Sequence, residues 1–271
     1  MDKKRYINQV NRLRTSDGFE DETIALLRSA VHADNKEENM KISKRIKIII
    51  AVAACMVLLT GTVFAATLLL SPTELAGNLG DSTLAAAFSS EDAVIVNQTV
   101  QTGEYNVTFL GMVSGSRISE IFSSDANLTY AAFAIEYTDG RPMRQEDGCP
   151  ISITPLIEGY EPWLVNLFSL ANGAYGHVEN NIYYYLFSCS SLEYFADRQM
   201  ALYAYTGHAP SAEKFSYSPE TGEISYSEGY TGVRAVFELD LDESKADPEA
   251  ARRVLEEAGL ELNEDGTLKL Y

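Results

Sequence analysis

Ala93-Val94-Ile95-Val96-Asn97-Gln98-Thr99-Val100-Gln101-Thr102-Gly103-Glu104-Tyr105-Asn106-Val107-Thr108-Phe109-Leu110-Gly111-Met112-Val113 is the stretch that decides the fold class. Two runs of β-branched and aromatic residues, Ala93 to Val100 and Tyr105 to Val113, flank Thr102-Gly103, a turn pair. Such runs recur downstream at Leu128 to Thr138, Ile151 to Leu156, Leu164 to Leu170, Ile182 to Ser188, Met200 to Tyr205 and Val233 to Leu239. Breaks such as Asp139-Gly140-Arg141-Pro142 separate them. With no alternating helices to supply parallel crossovers, the expected architecture is mainly β, an antiparallel sandwich-like domain with short flanking helices.

Helix signals bracket these strands. Ser71-Pro72-Thr73-Glu74 carries an N-cap serine, a proline at the first helical position and the glutamate of a capping box, and Asp81 to Phe88 reads as a second short helix. At the other end a helix starts at Asp247-Pro248 and stops at Gly259, and residues 260–271 around Asn263-Glu264-Asp265-Gly266 read as a hairpin. The reading divides 71–271 into a helical neck at 71–90, a β domain at 91–245 and a C-terminal helix and hairpin at 246–271.

Upstream of the neck, Ile48 to Leu70 runs for 23 residues without a charge. At 1.5 Å per residue that is enough to cross a hydrocarbon core of about 30 Å, so 48–70 reads as a transmembrane helix in a lipid bilayer. Lys41, Lys44, Arg45 and Lys47 precede it, and the next basic residue is Arg117. Retention of positive charge inside predicts a single-pass protein of the cell membrane, N-terminus cytoplasmic and 71–271 extracytoplasmic. Val63-Phe64-Ala65 imitates a signal-peptide cleavage site, but 47 preceding residues and the continuing Leu68-Leu69-Leu70 favour an uncleaved anchor. Gly61 and Ala65 form a small-xxx-small pair that ordinary membrane-helix composition also explains.

Residues 1–47 read as a cytoplasmic two-helix segment. Tyr6, Val10 and Leu13 fall at helical spacing, as do Ile24, Leu27 and Val31 after the turn Thr15-Ser16-Asp17-Gly18. So small a unit buries little apolar surface, so either these six residues form a contact face for a cytoplasmic partner or the segment is a solvated topology signal. The charge changes sign across the membrane: 11 Lys/Arg against 8 Asp/Glu in 1–47, 10 against 31 in 71–271. Phosphate recognition needs clustered cations, so nucleic acid is excluded as a partner of the acidic part.

No catalytic, cofactor-binding or metal site is expected. His32 has no cysteine companions, so a His/Cys zinc site is absent. Asp240, Asp242, Glu243 and Asp247 lack the spacing of a calcium loop and read as a solvated strand face. His177, His208 and Cys189 carry no mark of nucleophilic catalysis, and Ser188, Ser190 and Ser191 lack the glycines of a nucleophile elbow. Cys149 and Cys189 could form a disulfide outside the cell, although sequence does not show whether they meet. Tyr183-Tyr184-Tyr185, Tyr160 and Trp163 read as core aromatics before a ligand platform.

Leu70-Ser71-Pro72-Thr73-Glu74-Leu75-Ala76, Asp81 to Phe88, Thr138-Asp139-Gly140-Arg141-Pro142-Met143 and Asp240 to Pro248 together resemble single-pass membrane proteins of Firmicutes. These are similar to membrane-anchored anti-sigma-factor-like regulators. The resemblance covers the architecture of the whole chain and implies a cytoplasmic segment that holds a sigma factor, one membrane helix and an outside sensor for an unknown extracytoplasmic ligand. The chain departs from zinc-type anti-sigma domains, which are longer and carry His and Cys ligands. Two other classes stand beside this one: a membrane-anchored binding module with no cytoplasmic partner, and an envelope enzyme, for which no constellation is present.

Overall fold

The computed structural model describes residues 69–263 together with 268 and 269. The two-helix segment and the predicted span lie outside the described residues, apart from Leu69 and Leu70. No helix among the described residues is long and apolar enough to cross a membrane.

Among the described residues, ten strands make three antiparallel sheets. The largest orders β1 (Val94–Thr102), β2 (Tyr105–Ser116), β3 (Asn127–Tyr137), β6 (Ile182–Ser190) and β5 (Ala171–Glu179) as β1-β2-β3-β6-β5. A second orders β10 (Ala235–Glu238), β7 (Met200–Thr206) and β4 (Ile151–Ile157) as β10-β7-β4. The third is the hairpin of β8 (Phe215–Tyr217) and β9 (Ile224–Tyr226). The mainly β antiparallel expectation holds.

The sheets stack because β2, β3, β4, β6 and β7 are buried on both faces along most of their length. Along β3, Ala131, Phe133 and Ile135 point into the core shared with Leu202, Ala204, Ala235 and Phe237 of the three-stranded sheet. Phe133 and Phe109 each place a ring 5.8 Å from that of Phe237, across the sandwich. The alternate residues Leu128, Tyr130, Ala132 and Ala134 face the other way, onto Leu75, Ala76, Leu84 and Phe88 of two helices, α1 (Pro72–Asn78) and α2 (Ser82–Phe88). The outer face of the second sheet is covered by the hairpin, through Leu156, Tyr205 and Phe215. Burying each large side chain contributes roughly 1.5–3 kcal/mol, which explains the near-continuous apolar runs of β2 and β3 where one solvated face would give alternation.

The predicted caps form. Ser71 accepts from the Glu74 N–H while the Glu74 carboxylate accepts from the Ser71 N–H. A helix α4 (Pro248–Glu257) starts on the Asp247 side chain, with Gly259 just beyond its end at φ 81°. Leu255 and Ala251 of α4 join the inner core. An antiparallel bridge joins Leu262 to Leu268, at the position of the expected C-terminal hairpin.

One local expectation needs correction, and two elements carry no clear signal in the sequence. Residues 164–170 are not a strand: Asn166 caps a short helix α3 (Leu167–Leu170), its side chain accepting from the Phe168 N–H, and the Ser169 hydroxyl accepts from the Asn166 N–H. That side-chain competition with the backbone defeats an apolar run that otherwise reads as β. The strand lies immediately after it, at β5, where Gly173 and Gly176 hide the pattern. The hairpin of β8 and β9 carries no strand signal in its polar, glycine- and proline-containing surroundings. Along the outer edge of β5, Gln145 donates to the Gly176 carbonyl at 3.3 Å and accepts from the Val178 N–H at 2.8 Å.

Candidate functional site

The expected contact face, Tyr6, Val10, Leu13, Ile24, Leu27 and Val31, lies outside the described residues. Within them, the candidates singled out for chemistry are dispersed. Cys189 on β6 pairs with Ala171, whereas His177 pairs with Tyr184 at the other end of the same ladder. Five residues of strand separate the two positions, about 16 Å at the usual rise. His208 sits in the segment after β7, its carbonyl accepting from the Tyr205 hydroxyl. Ser188 is buried and directed at the Gly173 carbonyl.

Cys149 and Cys189 are both free thiols. Cys149 donates through its thiol to the Ile151 carbonyl at the start of β4, whereas Cys189 is buried near the end of β6. A disulfide needs Cα atoms within about 7 Å. Burial pushes the Cys149 thiol up to about 11 and raises that of Cys189 further. Neither is an activated nucleophile.

The acidic run also resolves into structural roles. Asp242 accepts from the Ser244 N–H and hydroxyl, and Asp247 caps α4. Leu239 and Leu241 pack against the core. Among the described residues, no group of three or more His, Cys, Asp or Glu could hold a metal ion. Of the aromatic cluster, Tyr160, Tyr183 and Tyr184 are buried and Tyr185 is partly so, in keeping with a core role; Trp163 is 40% exposed.

Two arrangements remain that do more than fill a core. The first is the joint at the start of the described chain. Leu69 and Leu70 pack in the cluster formed by α1, α2 and the five-stranded sheet, and the Leu70 N–H donates to the buried Tyr184 hydroxyl at 3.0 Å. Behind it, Asp81 is fully buried between α2 and the β2–β3 loop. One carboxylate oxygen caps α2 through the Leu84 N–H at 2.9 Å; the other accepts from the Ser119 hydroxyl at 2.5 Å and the N–H groups of Glu120 and Ile121 at 3.0 and 3.1 Å. Burial by itself would raise the Asp81 pKa, and the four donors outweigh it, holding the carboxyl below its ordinary value. Glu120 reciprocates by accepting from Ser82 and Thr83, both at 2.8 Å. The loop is thereby latched to the helix pair.

The second arrangement is a cleft of about 350 Å³ on the outer face of the three-stranded sheet. Cross-strand register explains it. Thr154, Tyr203 and Val236 form one row across the sheet, and Leu156, Ala201 and Glu238 the next. The β8–β9 hairpin is tied over the first row, where the Tyr203 hydroxyl donates to the Ile224 carbonyl and the Tyr226 hydroxyl to that of Ala204. The second row has the small Ala201 at its centre, and a hollow is left there. The Gly159 N–H donates to the Gly222 carbonyl at 3.0 Å, which brings Glu158 and Glu223 to the same rim. No feature of Ala201 in the linear sequence marks it; only the pairing register does.

Comparison of the chain with family models, with curated proteins and with solved structures finds no match.

Proposed function

We propose that this protein is a membrane-anchored signalling regulator of the anti-sigma-factor kind, in which residues 71–271 act as an extracytoplasmic sensor and residues 1–47 hold a cytoplasmic partner. The observation that supports the reading is the joint at Leu69 and Leu70. The last residues of the apolar run are already packed against the sheet, and Leu70 is hydrogen-bonded to Tyr184. A sensor on a slack tether cannot pass a displacement to its anchor. A sensor whose anchor leads directly into its core can, provided the packed elements have a second arrangement that a ligand favours.

In this scheme the face of Tyr6, Val10, Leu13, Ile24, Leu27 and Val31 contacts a sigma factor, and a ligand of the outer domain changes that contact through the joint. The test is capture of the full chain from membranes of its host in mild detergent, followed by mass spectrometry. Stoichiometric recovery of a sigma factor, lost on Leu27→Glu, is the expected result. Retention of the partner by the Leu27→Glu chain would show the contact face to be wrong.

The cleft supports a second reading, a binding module that needs nothing from the cytoplasmic segment. In that case, replacing residues 1–38 by an unrelated basic tail preserves the phenotype; under the regulator reading it abolishes it.

A further inference from the structure

The cleft has a definite chemical character. Its floor is apolar: Leu156 and Ala201 are buried, the ring of Tyr203 borders them, and Val236 is 36% exposed at the open side. Its rim carries Glu158, Glu223 and Glu238, with Gln199 as the one neutral polar side chain. No basic residue lines it. Among the described residues none of the three carboxylates enters an ion pair. Of the adjoining cations, Arg198 lies over the Tyr160 ring and donates to the backbone carbonyl of Glu158 at 3.2 Å, so it offsets part of the charge at that corner of the rim, and Arg234 lies over the rings of Tyr226 and Tyr230.

Apolar clefts of roughly 300–1,000 Å³ with a few placed polar groups are the usual form of a small-molecule site. Here the placed groups are anionic. The Tyr203 phenol is held above its ordinary range by burial and then by the charges of Glu238 and Glu223, so both carboxylates act on the ring at the floor. The carboxylates do not converge as metal ligands do, which leaves a ligand large enough to reach across the hollow.

We propose that the cleft between the three-stranded sheet and the β8–β9 hairpin binds a small amphipathic organic cation, an amine carried on a short apolar body. The body lies on Tyr203 and Val236 over the hollow at Ala201, and the ammonium is held at the rim by Glu223 and Glu238. Anions of the same shape are repelled, and uncharged analogues gain only the apolar contact. The assignment deepens the sensor reading by supplying the class of ligand, and its test does not pass through residues 1–47. Failure of the titration therefore leaves the capture result standing, and the reverse also holds.

The experiment is calorimetric titration of the full chain in neutral detergent with phenethylamine, 2-phenylethanol and phenylacetate. Saturable binding of phenethylamine alone is expected, weakened about tenfold or more in the Glu223→Gln, Glu238→Gln double variant and on raising the salt. Ala201→Leu fills the hollow and should abolish binding. If that variant does not fold, the double variant, altered only at exposed side chains, decides the matter. Absence of saturable phenethylamine binding, equal binding of the three probes, or unchanged affinity in the double variant would overturn the proposal.

Discussion

Asp81→Asn tests the latch between the helix pair and the sheet. The substitution keeps shape and volume and removes the charge. In the wild-type chain one oxygen caps α2 and the other accepts three donors. An amide presents only one oxygen, so either the Glu120 and Ile121 N–H groups or the α2 cap must face an NH2 group. A lost cap costs about 1 kcal/mol, and each buried donor left unsatisfied adds roughly 1–3 kcal/mol. An overall loss of about 3 kcal/mol is expected, or roughly 6–12 °C in Tm for a domain of about 200 residues. Thermal and guanidinium unfolding, followed by circular dichroism on the full chain in detergent, reads it. The pH dependence carries a second signature. The Asp81 carboxyl is held below its ordinary 3.8 in the folded state, so the unfolded chain binds the extra proton first as pH falls. The contribution is present above pH 3.8 and is lost as pH drops through the folded value, which predicts a smaller difference between wild type and variant at pH 2 than at pH 7. A variant within about 0.5 kcal/mol of wild type at pH 7, or a pH-independent difference, would refute the reasoning.

Tyr184→Phe leaves the Leu70 N–H without its partner and should speed hydrogen exchange at that amide, with a stability loss of about 1–2 kcal/mol; unchanged exchange would remove the joint as a fixed contact. Gly111→Ala should destabilise by about 1–3 kcal/mol, because its Cβ would stand 2.6 Å from the Val94 carbonyl oxygen at the β1–β2 bulge; equilibrium unfolding measures it. Cys149 and Cys189 should resist a thiol reagent at pH 8 and react fully after denaturation, and non-reducing peptide mapping should find no bridge between them.

The elements announced by local chemistry are legible in the sequence. Ser71-Pro72-Thr73-Glu74 and Asp247-Pro248 specify their helices through side chains within four residues of one another, and β2 and β3 announce themselves by apolar runs. What escaped depends on partners far away in sequence. β5 is an edge strand with glycines and partial burial, so it has neither alternation nor a continuous apolar run. The Asn166 cap overrode a β-like segment by local hydrogen bonding that composition does not reveal. The cleft arises because Ala201 pairs with both Leu156 and Glu238, a fact of register and not of the chain taken singly. Glu158, Glu223 and Glu238 are ordinary surface glutamates until that pairing and the Gly159–Gly222 contact set them around one hollow.

The side chain of Gln145 has a consequence beyond the fold itself. Its carboxamide bonds the Gly176 carbonyl and the Val178 N–H, the two groups flanking His177 that a residue of a parallel neighbouring strand would take. An unpaired edge is a template for another chain, and proteins escape aggregation by blunting such edges. Here a single glutamine stands in for the missing neighbour, so two molecules meeting along β5 find that part of the ladder already occupied.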